Sequence, residues 1–326
     1  MKRREFITLL GGAAAAWPLT AHAQQLAMPV VGFLGSTSPD PYANIVAAVR
    51  EGLKETGYVE GRNLSIEYRW AEGKYDRLPA LAAQLVDRRV AVIVANTPAA
   101  LAAKAATTTI PIVFSSGLDP VKAGLVTSLN RPGGNITGVS TLSGELVSKQ
   151  LELLHELVRK PTIIAALVNP TNPSLAETVS KELQAAANTL GLRLHILSAS
   201  SEREIETAFV NLLNLKAGAL VIGADGFLSA QSEKLAAMAL RHAVPAISPY
   251  RPFVEAGGLM RYGTNATDGF RLAGIYAGRI LKGEKPADLP VVQSAKFEFV
   301  INLRTARTLD LDIPSTLLAR ADEVIE

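Results

Sequence analysis

Ala91-Val92-Ile93-Val94-Ala95 is apolar at every position, and Ala219-Leu220-Val221-Ile222-Gly223 repeats the pattern in the second half of the chain. Runs this short, rich in β-branched residues and with no polar face, read as strands covered on both sides. Such strands belong to parallel sheets sandwiched between helices. The flanks agree. Leu78–Asp87 and the Ala-rich Pro98–Ala106 read as helices around the first run, and Glu202–Leu215 and Ala230–His242 as helices around the second. Further out, Pro29–Leu34, Leu64–Trp70, Ile110–Phe114 and Asn135–Val139 read as strands. Asn44–Thr56 reads as a helix stopped by Gly57, and Val121–Leu129 as a short helix. The second half begins with a long helix, Leu142–Val158, and a strand, Thr162–Val168. A helix stopped by Gly191, Pro173–Leu190, follows, and Arg193–Leu197, Ala243–Ile247 and Gly258–Tyr262 read as strands. Ala266–Leu281 is a helix closed by Lys282-Gly283, Lys296–Ile301 a late strand, and Leu303–Leu309 a last short helix.

Strands alternating with helices of this length predict right-handed βαβ units. The expected class is α/β, with two doubly wound parallel-sheet lobes in tandem. The break falls near Gly138–Thr141, where there is no Gly/Ser tract and no charge run, so the lobes meet at a hinge and not a floppy linker. With a further helix and strand after the second run, the chain is expected to return to the first lobe and leave it again. That makes about three crossovers: 24–140 plus 264–292 for the N-terminal lobe, and 141–263 plus 293–326 for the C-terminal lobe.

The first 23 residues stand apart. Lys2-Arg3-Arg4 is followed by an apolar run from Ile7 to Trp17, then Pro18 and Ala21-His22-Ala23. This is the order of a cleavable signal peptide, with cleavage expected after Ala23. The paired arginines with Phe6 point to the twin-arginine route, or to a Sec signal whose n-region holds two arginines. Gln24 follows Ala23, and the chain has no cysteine, so no lipoprotein junction is present. Without the signal the chain keeps 30 basic and 29 acidic side chains, and no basic stripe argues for nucleic acid. The absence of cysteine excludes disulfides, thiolate nucleophiles and thiolate metal sites. The expected home is the periplasm.

Ligands of open parallel sheets bind beyond the carboxyl ends of the strands. In the first lobe those tips carry Ser36, Thr37 and Tyr42, then Asn96-Thr97, then Ser115, Ser116 and Asp119, then Ser140. In the second they carry Asn169 and Asn172, then Asp225 and Phe227, then Tyr250. Short hydroxyls, amides and bare helix N-termini hold a small anion or carboxylate. Asp119 or Asp225 could pair with an ammonium, and Tyr42, Phe227 and Tyr250 could form an aromatic wall. Taken singly, each Ser, Thr, Asn or Asp reads more readily as an ordinary helix cap than as a ligand contact; the set across two facing lobes is what suggests one cleft.

Catalytic patterns are thin. His155, His195 and His242 all fall inside predicted elements, none at a strand tip. There is no Gly-x-Ser-x-Gly elbow, P-loop or His-Glu-x-x-His, and no Gly-x-Gly-x-x-Gly follows the first strand. No catalytic residue, metal site or cofactor is expected. An exported hydrolase would need a nucleophile with a base beside it.

Several runs carry a resemblance: Val30–Leu34, Gly52–Tyr58, Ile66–Trp70, Asp119-Pro120, Asn130–Val139, Gly257–Met260, Gly278–Gly283, Pro286–Pro290 and Ile301–Leu303. Over nearly its whole length the chain resembles the ABC-transporter substrate-binding protein family that includes tryptophan- and tyrosine-type binding proteins. The resemblance implies the type I periplasmic binding protein fold. It implies a monomeric receptor that closes on a small solute, an amino acid or related carboxylate, and delivers it to an inner-membrane ABC permease driven by its ATPase. A receptor that feeds a sensor kinase would read the same. Asn96-Thr97-Pro98 and Gly226-Phe227 depart from the family's usual glycine-rich turn and Pro-Phe at cleft tips, so the ligand does not carry over with the resemblance.

Overall fold

The structure, a computed structural model, describes residues 28–158, 163–294 and 297–326. The signal peptide read at 1–23 lies outside them.

The chain begins with β1 (Val30–Gly35), α1 (Ala43–Glu55), β2 (Ser65–Trp70), α2 (Leu78–Asp87), β3 (Val92–Asn96), α3 (Thr97–Ala106), β4 (Ile112–Ser116) and β5 (Ile136–Ser140). It then forms α4 (Val147–Leu157), β6 (Ile163–Val168), α5 (Pro173–Leu190), β7 (Arg193–Ser198), α6 (Glu202–Asn214) and β8 (Ala219–Ile222). Next come α7 (Gly226–Ala230), α8 (Ser232–Arg241), β9 (Ala246–Ser248), α9 (Arg251–Glu255) and β10 (Met260–Thr264). The chain ends with α10 (Ala266–Leu281), β11 (Val292–Gln293), β12 (Phe297–Asn302), α11 (Leu303–Thr308), α12 (Ser315–Leu318) and β13 (Glu323–Ile325).

These form two sheets, one of six strands in the order β11-β5-β4-β3-β1-β2 and one of seven in the order β13-β12-β10-β9-β8-β6-β7. Each is covered by helices on both faces, and the two deciding runs show why. Val92 and Val94 of β3 face α1 and α10 with Val49, Phe270 and Ala273, whereas Ile93 and Ala95 face Leu85, Ala99 and Leu125. In β8, Ala219 and Val221 pack with Leu151 and Val179, and Leu220 and Ile222 with Phe209 and Leu235. Fully burying each such side chain contributes about 1.5–3 kcal/mol, so a strand apolar on one face alone would be less stable here.

Three crossovers join the lobes, between β5 and α4, between β10 and α10, and between β11 and β12. α10 packs lengthwise on α1. The pairing depends on two glycines, because a Cβ on Gly52 would collide with the Arg271 carbonyl and one on Gly274 with the Val49 carbonyl. β11 then pairs with β5, Gln293 opposite Ser140, while Thr264 pairs with Phe297 in the second sheet. Thr264 is thus a strand residue of the second sheet and Gln293 one of the first.

Three readings of the sequence need correction. The second sheet is mixed: β12 runs antiparallel to β10. Val121–Leu129 forms turns and no helix. Asp119 Oδ1 accepts from the Val121 and Lys122 amides, and Gly124, at φ +70°, turns the chain so that Leu125 and Val126 enter the core. The helix expected from Leu142 starts only at Val147. Leu142 has φ +48° and the Gly144 amide bonds the Gly117 carbonyl, which ties this crossover to the tip of β4. Both segments carry helical apolar spacing whose helix is overridden by tertiary anchoring.

Candidate ligand-binding cleft

The wall from the first lobe is built of neutral groups. β3 and β4 run one or two residues further than their apolar cores, because the ladder pairs Asn96 with Ser115 whatever their side chains. That extension carries their polar ends to the cleft. Asn96 does not cap its own helix. Its Oδ1 accepts from the Ser36 amide at 3.3 Å, and its Nδ2 donates to Ser36 Oγ at 2.5 Å and to Tyr42 Oη at 3.4 Å. α3 consequently starts with no side-chain cap, and its first amides and the positive end of its dipole are left for another acceptor. Thr97 Oγ1 donates to Ser116 Oγ at 3.0 Å and accepts from the Gly117 amide at 3.2 Å. Tyr42 is held by edge contacts with Trp70 and Phe270, ring centroids 6.0 and 6.3 Å apart. Its burial, with the charge of Asp225 facing it, pushes its phenol up to about 12.

The wall from the second lobe carries charge. Asp225 caps α7 through the Phe227 amide at 2.8 Å. It also accepts from Asn169 Nδ2 at 2.9 Å, Asn172 Nδ2 at 3.0 Å and, from the other lobe, Tyr75 Oη at 3.1 Å. All of these donors are neutral. Desolvation raises the Asp225 carboxyl above the usual carboxylate range and outweighs the donors that pull it down. Tyr250 Oη accepts from the Asp225 amide at 2.6 Å and donates to the Asp225 carbonyl at 2.9 Å, which fixes the tip of β8. Arg261, 2% exposed within β10, pairs with Glu298 of β12 at 2.5 Å and donates to the carbonyls of Pro249 and Thr264 at 3.2 and 2.7 Å. Burial lowers the Arg261 guanidinium from its ordinary value against the pull of Glu298. Arg251 binds both oxygens of Glu323, at 2.7 and 3.1 Å, and Glu255 at 2.8 Å.

Between the walls lies a cavity of about 290 Å³, at the lower end of the ~300–1,000 Å³ usual for small-molecule sites. Tyr42, Asn96, Thr97, Ser115, Asn172, Asp225 and Tyr250 line it. Ser36, Thr37, Ser116, Ser140 and Asn169 are buried outside that lining. Two residues are placed elsewhere. Phe227 turns into the core with Leu228 and Leu235, so it forms no part of the aromatic wall; Phe270 of α10 does. Asp119 caps its own turn beside Lys122 in a separate groove against α5 and is out of reach of a solute in the cleft. Lining residues not singled out from sequence include Ile45, Leu175, Arg251, Glu255, Arg261, Glu298 and the Thr264–Thr267 crossover. One signal was available for Arg261: an arginine inside an otherwise apolar strand is costly unless paired. None of His155, His195 and His242 lines the cavity. Among the described residues no group of three His, Asp or Glu could hold a metal ion, and no helix is long and apolar enough to cross a membrane.

Two doubly wound lobes, joined by three crossovers and closed over one polar cleft, define a solute-binding protein of the periplasmic-binding-protein fold. The chain belongs to the ABC transporter substrate binding protein family, whose sequence profile matches residues 30–325. It is thus the component that takes a small solute between its lobes and passes it to an ABC transporter. A tyrosine-binding protein of Clostridioides difficile is 29% identical over 263 residues, covering 80% of this chain and 75% of that protein. An ABC domain from Streptococcus pneumonia in complex with L-Trp is 28% identical, with a TM-score of 0.82 over 91% of this chain and 99% of the other. The ligand-free, open structure of a substrate-binding protein with adhesive properties from Clostridium difficile, at 25% identity and the same coverage, scores 0.63. The chain superposes better on the ligand-bound relative than on the open one, in keeping with lobes that touch across the cleft.

Proposed function

We propose that the solute is an α-amino acid with an apolar or aromatic side chain. The observation that carries this reading is Asp225, a buried carboxylate at the cleft whose hydrogen-bond partners are all neutral. The two arginines of the lining are already committed to Glu298, Glu323 and Glu255. An ammonium would compensate the unpaired negative charge, and the uncapped start of α3 with Ser115 offers an acceptor-seeking surface to a carboxylate in the same cavity. Tyr42, Phe270, Ile45 and Leu175 supply the apolar remainder. That relatives are named for tyrosine binding or were solved with L-Trp supports the same class of solute.

The receptor acts as a monomer in the periplasm after removal of residues 1–23, delivers to an inner-membrane permease with its ATPase, and performs no chemistry on the solute. What supports the last point is that Thr97 Oγ1 and Thr141 Oγ1 of the lining already donate to Ser116 Oγ and to the Ser116 carbonyl. Calorimetric titration of ligand-free protein with the twenty amino acids, simple carboxylates and sugars tests the proposal. Binding of apolar or aromatic amino acids, but not of their decarboxylated or deaminated analogues, is the expected result. Affinity for sugars or simple carboxylates alone would overturn it.

A further inference from the structure

Tyr75 lies outside the cavity lining, yet its phenol crosses from the first lobe to the second. The turn that presents it is pinned to the tip of β1. The amides of Ala71, Glu72 and Gly73 donate to the carbonyls of Gly35, Thr37 and Ser36 at 2.9, 3.0 and 2.9 Å. Glu72 and Gly73 take left-handed backbone, φ 56° and 76°, to make that turn. Tyr75 therefore projects from a rigid base toward Asp225 Oδ2, 3.1 Å away. Burial and the facing charge of Asp225 raise the phenol, so it remains a donor. Immediately beside it, Gly226 meets the first lobe with nothing to spare. A Cβ there would stand 3.0 Å from Ser36 Oγ, 3.1 Å from Thr37 Cγ2 and 3.4 Å from Tyr75 Oη.

We propose that Tyr75 and Gly226 form the closure latch of this receptor: the Tyr75 hydroxyl bonds Asp225 only when the lobes are shut, and the missing side chain of Gly226 lets them shut that far. Asp225 then serves both sides. It faces the solute in the cleft and receives the latch from behind, so the group that senses occupancy is the group that holds the lobes together. A contact made only in the closed state adds its differential free energy to apparent affinity. The inference goes beyond the identity of the solute and holds for any solute that fills the cleft.

Tyr75→Phe keeps the ring and leaves Asp225 with its two asparagines and the Phe227 amide. Gly226→Ala puts a better helix former at the first position of α7, so the helix itself is not weakened. Titrated with L-tryptophan and L-tyrosine, Tyr75→Phe is expected to bind roughly tenfold more weakly. Gly226→Ala is expected to bind roughly fivefold more weakly through the crowded contact. In both the loss falls in the dissociation rate, and thermal unfolding of ligand-free protein stays unchanged. The absence of native cysteine allows spin labels at Arg62→Cys and Arg203→Cys, on opposite lobes, to report the closed fraction by electron–electron distance measurement. Both variants should lower that fraction. Affinities and distance distributions equal to those of the parent chain overturn the latch. If neither amino acid binds, the amino-acid reading fails while the latch is still decided by the distances measured with whichever carboxylate or sugar of the panel binds, where a distribution equal to that of the parent chain overturns it.

Discussion

The two walls of the cleft hold a solute by different physics. The first lobe offers hydroxyls, an amide and an uncapped helix start; the second offers Asp225 and a buried arginine–glutamate pair. Neutral groups at strand tips need little support beyond the strands themselves, because each is worth only about 1 kcal/mol. Buried charges need much more, because an ion removed from water costs several kcal/mol unless it is fully bonded. The second lobe accordingly surrounds its charges with Asn169, Asn172, Tyr250 and the carbonyls of Pro249 and Thr264. Mutations of the charged groups in the second wall should therefore damage folding or abolish binding, and those of first-wall side chains that line the cavity should adjust affinity.

The largest effect is expected at Arg261. Replacing it by Leu strands Glu298 and frees the Pro249 and Thr264 carbonyls next to the β10–α10 crossover. Breaking a fully buried pair costs about 3–5 kcal/mol, and here Arg261 is buried while Glu298 keeps 22% exposure. With Arg251 still 3.9 Å from Glu298, the loss should lie near about 3 kcal/mol, read from the urea midpoint. A change under about 1 kcal/mol would show that the pair is dispensable and that the contrast between walls is overstated.

Next comes Asp225→Asn. Asn still caps α7, but the charge is gone, and amino-acid affinity should fall by about 2 kcal/mol or more, near thirtyfold. The pH dependence follows the same group. Its folded value is raised above the unfolded ~3.9, so in ligand-free protein the contribution of this one group to stability is full below the unfolded value and is lost as pH rises through the folded one. Binding has the opposite sense. An ammonium prefers the ionised carboxyl, so affinity should drop as pH falls through the raised value, with proton release visible as a buffer-dependent binding enthalpy. Tyr42, Tyr75 and Tyr250, which face Asp225, are all shifted upward and stay neutral throughout that window. Asp225→Asn should bind with a flat profile; a slope surviving in the variant would assign the titration elsewhere.

The same contrast explains what could be read from the sequence. The fold was legible because strands such as β3 and β8 are apolar on both faces, a pattern few other arrangements tolerate. Asn96, Ser115, Asp225 and Tyr250 were legible as residues of the cavity lining because they follow the carboxyl ends of parallel strands, the side on which open sheets leave a crevice. Arg261 was hidden because its partner Glu298 comes from β12, a strand the chain reaches only after leaving for the first lobe and returning. Phe227 was misread because a short helix aims its aromatic residue by packing, and Leu228 and Leu235 draw it inward. Asp119 was misread because the loop after β4 runs over the flank of the lobe to the outer groove. Sequence position marks the tip of a strand; it does not reveal which way the following loop leaves it.

The smallest effect sharpens the comparison within the first wall. Ser115 and Ser116 are neighbours at the end of β4, and both are buried. Ser116 Oγ is committed to Thr97 Oγ1, the Leu118 carbonyl and the Leu118 amide. Ser115 points the other way, into the lining of the cavity. Ser116→Ala should thus cost about 1–3 kcal/mol of stability by leaving buried groups unpaired, with affinity changed only as far as Thr97 shifts. Ser115→Ala should leave stability within about 0.5 kcal/mol and weaken binding of the solute carboxylate by about 1 kcal/mol, roughly fivefold. Paired urea titrations and calorimetry on the two variants separate these outcomes. If Ser115→Ala lost stability and kept affinity, the first wall would be scaffolding, and the solute would be held by the charged wall alone.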